Sequence, residues 1–327
     1  MELLARQTDE LILAPLLGVT DATYRTVYTK HFGGFDRAVA PFVKTIQGGR
    51  YKESKLRDLD GKYNRLLSVE PQLISNNIED FVAVTHTIFN MGYDRINLNL
   101  GCPVPMAAGR GRGAGLIPQV DYVDRFLDEV LSKIPCKLSV KTRIGYDDAD
   151  QLAKLLPVLN RYPLEELAIH PRTAKDLYKG DVNLEVLDSL ISDIDHSLIY
   201  SGDITSMESF SRLRKRYPQI KKWMIGRGGV RDPFLVPRLK GIQLEQDVLV
   251  LIKDFYEELK EAYLSRSLDE FQTLQKLKAL WFYQAKIDLI GAKAVKLVRK
   301  TKSLDAFMPM VECLAGCLSN DKIQPHV

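Results

Sequence analysis

Cys102 lies between Gly101 and Pro103 in INLNLGCPVP, a setting unlike those of Cys136, Cys313 and Cys317. The flanking glycine and proline fix the backbone and leave the thiol open to a cavity. A thiol with an ordinary pKa of about 8.5 is mostly protonated near neutrality and suits a proton donor as well as a nucleophile. Lys141, in KLSVKTR, would stand unpaired inside a strand unless an anionic or electron-rich partner met it. Gln72 can offer a donor and an acceptor to a heterocycle, or simply bond backbone. The turns SGDI (Ser201, Gly202, Asp203, Ile204) and GRGG (Gly226 to Gly229) are glycine-rich in the way that lets backbone N–H groups cradle a phosphate, and Arg227 can add a bidentate charge. A phosphorylated ligand is implied. GRGRGAG at 109–115 only superficially resembles a dinucleotide loop, because it does not satisfy G-x-G-x-x-G and follows no strand. Cys313 and Cys317, four apart in an apolar helix, are expected to be packed; no second Cys/His pair completes a metal site, so none is expected.

These residues need a scaffold that gathers strand ends. Short apolar or β-branched runs recur at LILAP (11–15), RAVAPF (37–42), LLSVEPQLI (66–74), DRINLNL (94–100), KLSVKTR (137–143), ELAIH (166–170), SLIYSGD (197–203) and KWMIGR (222–227). Amphipathic stretches of helical length separate most of them, among them 78–91, 121–133, 147–161 and 206–217. Alternation of this kind demands a parallel sheet, and eight units in about 240 residues predict a (β/α)8 TIM barrel, whose chemistry sits at the C-terminal strand ends. A doubly wound sheet is the competitor, but LLGVTD rather than a glycine fingerprint follows the first run. From about Leu244 the pattern is helical throughout, so residues 1–243 are assigned to the catalytic barrel and 244–327 to a small all-helical domain. Within 276–302 eight Lys/Arg face a single acid, Asp288; such a run is either a solvated face or a phosphate-binding one, and Trp281, Phe282 and Tyr283 inside it would ordinarily be core. With 45% hydrophobic and 27% charged residues and no repeat or low-complexity tract, disordered, fibrous and solenoid classes are excluded. No apolar run is long enough to span a membrane; LILAPLLGV follows two acids, contains a proline and reads as a buried strand. Four unrelated cysteines predict a reducing cytoplasm, and a net charge of +4 does not by itself announce a nucleic-acid partner.

Taken together the motifs resemble the dihydrouridine synthase family, flavin-dependent enzymes that reduce a uridine in folded RNA. LAPLLGVTDATYR resembles the family's A-P-M-x-G-x-T-D-x-x-x-R, and INLNLGCPVPMAAGRGRGAGLI resembles its Asn, Gly-Cys-Pro and Gly-small signature, here ending in Gly113-Ala114. VKTRIGYD, AIHPRT, SGDI and MIGRGGVRDPFL follow in family order. The resemblance implies FMN on the barrel mouth, contacted by Pro15, Leu16, Leu17, Gln72, Lys141, His170, Ser201, Gly202, Asp203, Gly226 and Arg227. It implies NADPH, or NADH, as reductant, hydride transfer to C6 of the pyrimidine, and protonation of C5 by Cys102. Asn99, Arg143 and Arg172 are expected to orient the base, and Lys293, Lys296, Arg299 and Lys300 to contact RNA phosphates.

The sequence departs from that pattern at Leu16 (usually Met), Asn97 (usually Asp) and Ser201 (usually Asn), and Arg110 stands where the family commonly has Lys. The expected substrate is tRNA, at a D-loop uridine, handled by a monomer. The alternatives are the same reduction on ribosomal RNA, a barrel ene-reductase acting on a small pyrimidine-like molecule, and an RNA-binding protein that has lost turnover. A basic helical tail speaks against the second of these, and intact Cys102 and Lys141 against the third.

Overall fold

The computed structural model describes residues 8–266, 268–285 and 292–320, with side chains to 316 in the last segment. Ten parallel strands form one sheet: β1 (Glu10–Leu13), β2 (Arg37–Val39), β3 (Val43–Lys44), β4 (Ser68–Glu70), β5 (Gln72–Ile74), β6 (Arg95–Leu100), β7 (Lys137–Gly145), β8 (Leu167–Thr173), β9 (Leu198–Ser201) and β10 (Lys222–Ile225). Eight runs predict eight strands; ten are present because two runs are interrupted, RAVAPF around Pro41 and LLSVEPQLI around Pro71. Proline has no N–H to give the ladder, which breaks there. β2 pairs with β4 and β3 with β5, so each divided run still traces one stave. With β1 paired to both β10 and β2, eight staves close the ring and the TIM barrel is the fold.

Helices cover the outside because one face of each is apolar. Between Val120 and Leu131 the buried residues are Val123, Phe126, Leu127 and Val130, the spacing of a single helical stripe. Asp21 caps the helix Ala22–His31 by accepting from the Tyr24 N–H at 3.0 Å, and Asn77 caps Ile78–Asn90 by accepting from the Asp80 N–H at 2.7 Å. Strand alternation then sorts the residues in between. On β6, Ile96, Leu98 and Leu100 join the core under the helices while Asn97 and Asn99 turn into the lumen. Across the lumen, Ile12, Ala14, Val39, Ala168, Ile199 and Met224 form a separate apolar cluster.

Among the described residues no strand follows Ile225; the helices are Arg227–Arg231, Leu235–Leu239, Val248–Ser265, Glu270–Gln284, Ala292–Lys300, Leu304–Phe307 and Pro309–Asn320. Phe255 packs on Tyr24 and Phe32, with ring centroids 6.2 and 5.0 Å away. Trp281 is buried as expected and donates to the Met310 carbonyl. Two lysines of the basic run are structural ties. Lys278 is buried and donates to the carbonyls of Arg299 and Thr301, satisfying the C-terminal end of the helix Ala292–Lys300. Lys276 reaches the Gly18 carbonyl and the Asp21 carboxylate beside β1. The expected packing of Cys313 is corrected: it is exposed, because the inner face of its helix is taken by Val311, Leu314 and Ala315. The side chain of Cys317 and all of Lys286 and Asp288 lie outside the described residues. No described helix is long and apolar enough to cross a membrane.

Candidate active site

The two ends of the barrel are charged in different ways. At the N-terminal end Arg37 is bonded by three carboxylates, those of Glu10, Glu70 and Glu166, and Glu166 also takes Lys222 and Arg95. At the C-terminal end a cavity of about 500 Å3 opens among the strand-end loops. Leu16 and Leu17, the Cys102 loop, Lys141, Arg143, His170, and the turns at 201–205 and 226–228 line it.

Lys141 comes from the lumen face of β7, opposite Asn99 on β6. Among the described residues the ionisable groups acting on it are Arg143 and Cys102, and no carboxylate is among them. Burial, with Arg143 adding repulsion, pulls its ammonium down to about 8. The next stave contributes His170, whose pKa burial drives well below the usual imidazole range, helped by Lys141, Arg143 and Arg172. The ring is therefore neutral, and its Nε2 accepts from Arg172 Nη1 at 3.3 Å. Cys102 is buried just inside the rim. Burial raises its thiol pKa against the opposing pull of the Val104 backbone, Arg143 and Lys141, so the sulfur stays protonated at neutral pH. Its loop is held from two sides. Asn99 Oδ1 accepts from the N–H groups of Gly101 and Cys102 at 3.0 and 2.8 Å, and Arg143 Nε donates to the Gly101 carbonyl at 3.1 Å.

Asp203 has φ +37°, a left-handed backbone that is strained for a non-glycine residue. Its carboxylate binds Arg172 through both oxygens and Arg227 at 3.0 Å, tying the β8, β9 and β10 ends together. Close approach of the turns depends on glycine: a Cβ on Gly228 would sit 2.0 Å from the Ile204 carbonyl oxygen, and one on Gly226 would press Ala14 at 3.2 Å.

Of the residues singled out from sequence, Pro15, Leu16, Leu17, Asn99, Cys102, Lys141, Arg143, His170, Ser201, Gly202, Asp203, Gly226 and Arg227 are brought together on this cavity. Two are placed behind it. Gln72 is fully buried one layer down, bonded to Asn97 and Asn99, and Arg172 is buried behind Asp203 with its guanidinium also on the Gly180 carbonyl. Lys293, Lys296, Arg299 and Lys300 are exposed on the helix Ala292–Lys300, away from the cavity lining. Three aromatic residues of the lining, Phe42, Tyr178 and Tyr283, were not expected there. Tyr178 is half exposed, with the Arg227 and Arg143 guanidinium carbons 4.3 and 5.2 Å from its ring centre. It lies in the irregular segment DLYKGD, which has no periodicity to mark it. Tyr283 reads as core and reaches the rim only because its helix packs on the one at 227–231. Among the described residues no cluster of three or more His, Cys, Asp or Glu is placed to hold a metal ion.

Comparison with known proteins places the fold and the family. The chain resembles in fold a morphinone reductase (TM-score 0.52, 12% identical, 73% of this chain and 87% of that one). It also resembles a 2-naphthoyl-CoA reductase (TM-score 0.57, 11% identical, 95% and 67%). In sequence it is 28% identical over 246 residues to a tRNA-dihydrouridine(16) synthase of Cupriavidus necator, covering 71% of this chain and 74% of that protein. It is 26% identical over 314 residues to a probable tRNA-dihydrouridine synthase 2 of Bacillus subtilis, covering 92% of each. The model of the family described as Dihydrouridine synthase (Dus) matches residues 12–279. A TIM barrel with Cys102 and Lys141 on its mouth, matched by that model over residues 12–279, this chain belongs to the dihydrouridine synthase family.

Proposed function

We propose that this protein reduces a specific uridine of tRNA, in the D-loop, to 5,6-dihydrouridine, with FMN in the barrel mouth, NADPH or NADH as reductant, and the reducing cytoplasm as its compartment. The observation that carries the reading is the pairing on one cavity of the protonated Cys102 thiol with Lys141, which has no carboxylate partner among the described residues. The relatives named above act on tRNA by their names, and one of them at position 16.

The mouth fits a planar phosphorylated cofactor. Lys141 lacks a carboxylate among the described residues, and the turns after β9 and β10 pack so closely that a Cβ at Gly228 would sit 2.0 Å from the Ile204 carbonyl oxygen. Lys141 and His170 would meet the ring, Leu16 and Leu17 would cover it, and the turns with Arg227 would take the phosphate. When bound, FMN supplies the hydride that C6 of the base receives. Cys102 donates the proton to C5, a role that its raised pKa favours because the thiol arrives with the proton in place. Asn99 and Arg143, both on the cavity, orient the base; Arg172 acts at one remove by bracing Asp203. The base must leave its stack to enter, and Tyr178, half exposed at the rim with the Arg143 and Arg227 guanidiniums over its ring, is an aromatic side chain placed where the base would pass. The helical region from 244 on, with Lys293, Lys296, Arg299 and Lys300 exposed, is the RNA-recognition part, and the protein works as a monomer.

The test is to record the visible spectrum of the purified protein, incubate it with NADPH and unmodified tRNA transcript, and map dihydrouridine by mass spectrometry. A flavin spectrum with product at one D-loop position is expected. Product only on ribosomal RNA, or reduction only of a free pyrimidine, would overturn the substrate, and a colourless protein without product would overturn the reading.

A further inference from the structure

The structure assigns to Glu70, at the opposite end of the barrel from the cavity, the part of a positioning residue for Cys102, exerted through a one-way chain of buried hydrogen bonds. The chain starts at Asn99, whose Nδ2 donates to Gln72 Oε1 at 2.8 Å. Gln72 Nε2 donates to Asn97 Oδ1 at 2.7 Å, and Asn97 Nδ2 donates to Ser139 Oγ at 2.6 Å. The Ser139 hydroxyl donates to the Glu70 carboxylate, whose other oxygen is bonded by Arg37 Nη1 at 3.1 Å. All five chain members are buried.

Each amide in this chain could in principle be turned end for end, and the direction is set by groups at its two ends that play a single role: the Gly101 and Cys102 N–H groups, which only donate, and at the far end an acceptor that cannot donate. A carboxylate bonded to an arginine is such an acceptor. Because Glu70 only accepts, the Ser139 hydroxyl must point at it and take a hydrogen from Asn97. Asn97 then shows its oxygen to Gln72, and Gln72 its oxygen to Asn99. Asn99 is thereby left with its oxygen toward the Cys102 loop, where the N–H groups of Gly101 and Cys102 need an acceptor. Reversal would set the Asn99 amino group against those two donors and release the loop that aims the thiol.

Glu70→Gln tests this, because glutamine can present either end to Ser139. Three readouts apply: the rate at which iodoacetamide alkylates Cys102, followed on its peptide by mass spectrometry; kcat and KM on tRNA; and the melting temperature. We expect alkylation to rise at least about threefold and kcat to fall about tenfold with KM unchanged, as for an acid displaced by a fraction of an ångström. Adding Asn97→Asp should restore both, since a carboxylate at that position accepts from Gln72 and Ser139 and sets the direction without Glu70. A merely structural loss of the Arg37 pairing would not be repaired at position 97. Should Glu70→Gln fail to fold, Ser139→Ala breaks the same link and must show the same two changes. Wild-type alkylation and turnover in a folded single variant, or no recovery in the double variant, overturns the assignment. The kinetic arm rests on the proposed uridine reduction and the alkylation arm does not, so a wild-type protein without product on any RNA fails that reading while alkylation still decides this one.

Discussion

The two ends of the barrel are built from the same kinds of residue and treat them in opposite ways. At the N-terminal end Arg37, Arg95, Lys137 and Lys222 meet Glu10, Glu70, Glu165 and Glu166 in a closed set of ion pairs. At the C-terminal end Lys141 has no carboxylate partner among the described residues, His170 is held neutral by burial and three cations, and a strained Asp203 gathers two arginines. Charge that is satisfied within the fold contributes to stability; charge left unsatisfied at a concave opening is available to a ligand. The two ends have one bridge, since Glu70 belongs to the closed set and also starts the chain that ends at the Cys102 loop.

The sharpest way to break this contrast is Cys102→Ala. It should lower turnover by about 10² to 10⁴-fold, the range for removing a positioned acid, while the melting temperature and flavin retention stay near wild type. Unchanged turnover in a tRNA assay would move the proton donor elsewhere. Its counterpart at the other end is Glu166→Ala, which removes the acid shared by Arg37, Arg95 and Lys222, leaves Arg37 with Glu10 and Glu70 and Arg95 with Glu165, and should cost about 1–3 kcal/mol of unfolding free energy. Urea titration reads that loss, and turnover per folded molecule should be kept; a stable variant that has lost activity would erase the division between the two ends.

A gentler effect comes from pH. The ammonium of Lys141 sits at about 8, so it is mostly charged at pH 7 and loses that charge as pH rises through 8. Affinity for free FMN, followed by quenching of its fluorescence, should therefore decline above pH 8, and Lys141→Arg should flatten the decline. A wild-type titration that is level from pH 7 to 9 would remove Lys141 from the cofactor site. The smallest change is expected from neutralising Lys293, Lys296, Arg299 and Lys300 together, all exposed on one short helix. RNA binding should weaken, and the slope of log affinity against log salt should flatten by about 0.9 for each duplex phosphate that the variant no longer neutralises. An unmoved slope would assign this helix to solvent.

Much of this was legible in the residues. Continuous apolar runs alternating with amphipathic helices specify a parallel barrel because buried parallel strands and their covering helices each have one stable pattern, and GCP, SGD and GRG mark strand ends by their backbone needs. Pro41 and Pro71 were visible too, yet whether a proline ends a strand or only interrupts it depends on the neighbouring stave. Gln72 and Arg172 have the side chains of ligand contacts, but strand register puts one a layer below the cavity and a salt bridge keeps the other behind it. Tyr178 gave no signal, since an irregular loop has no period to read.

By itself the sequence determined the barrel, the order of its strand-end motifs and the family, because these follow from local pattern and spacing along the chain. The tertiary structure alone decided which polar side chains reach the cavity, that Lys141 meets no carboxylate among the described residues, that Lys278 caps a helix rather than meeting solvent, and that Glu70 lies in line with Cys102. Those are relations between residues far apart in sequence, set by how strands register and close into a ring.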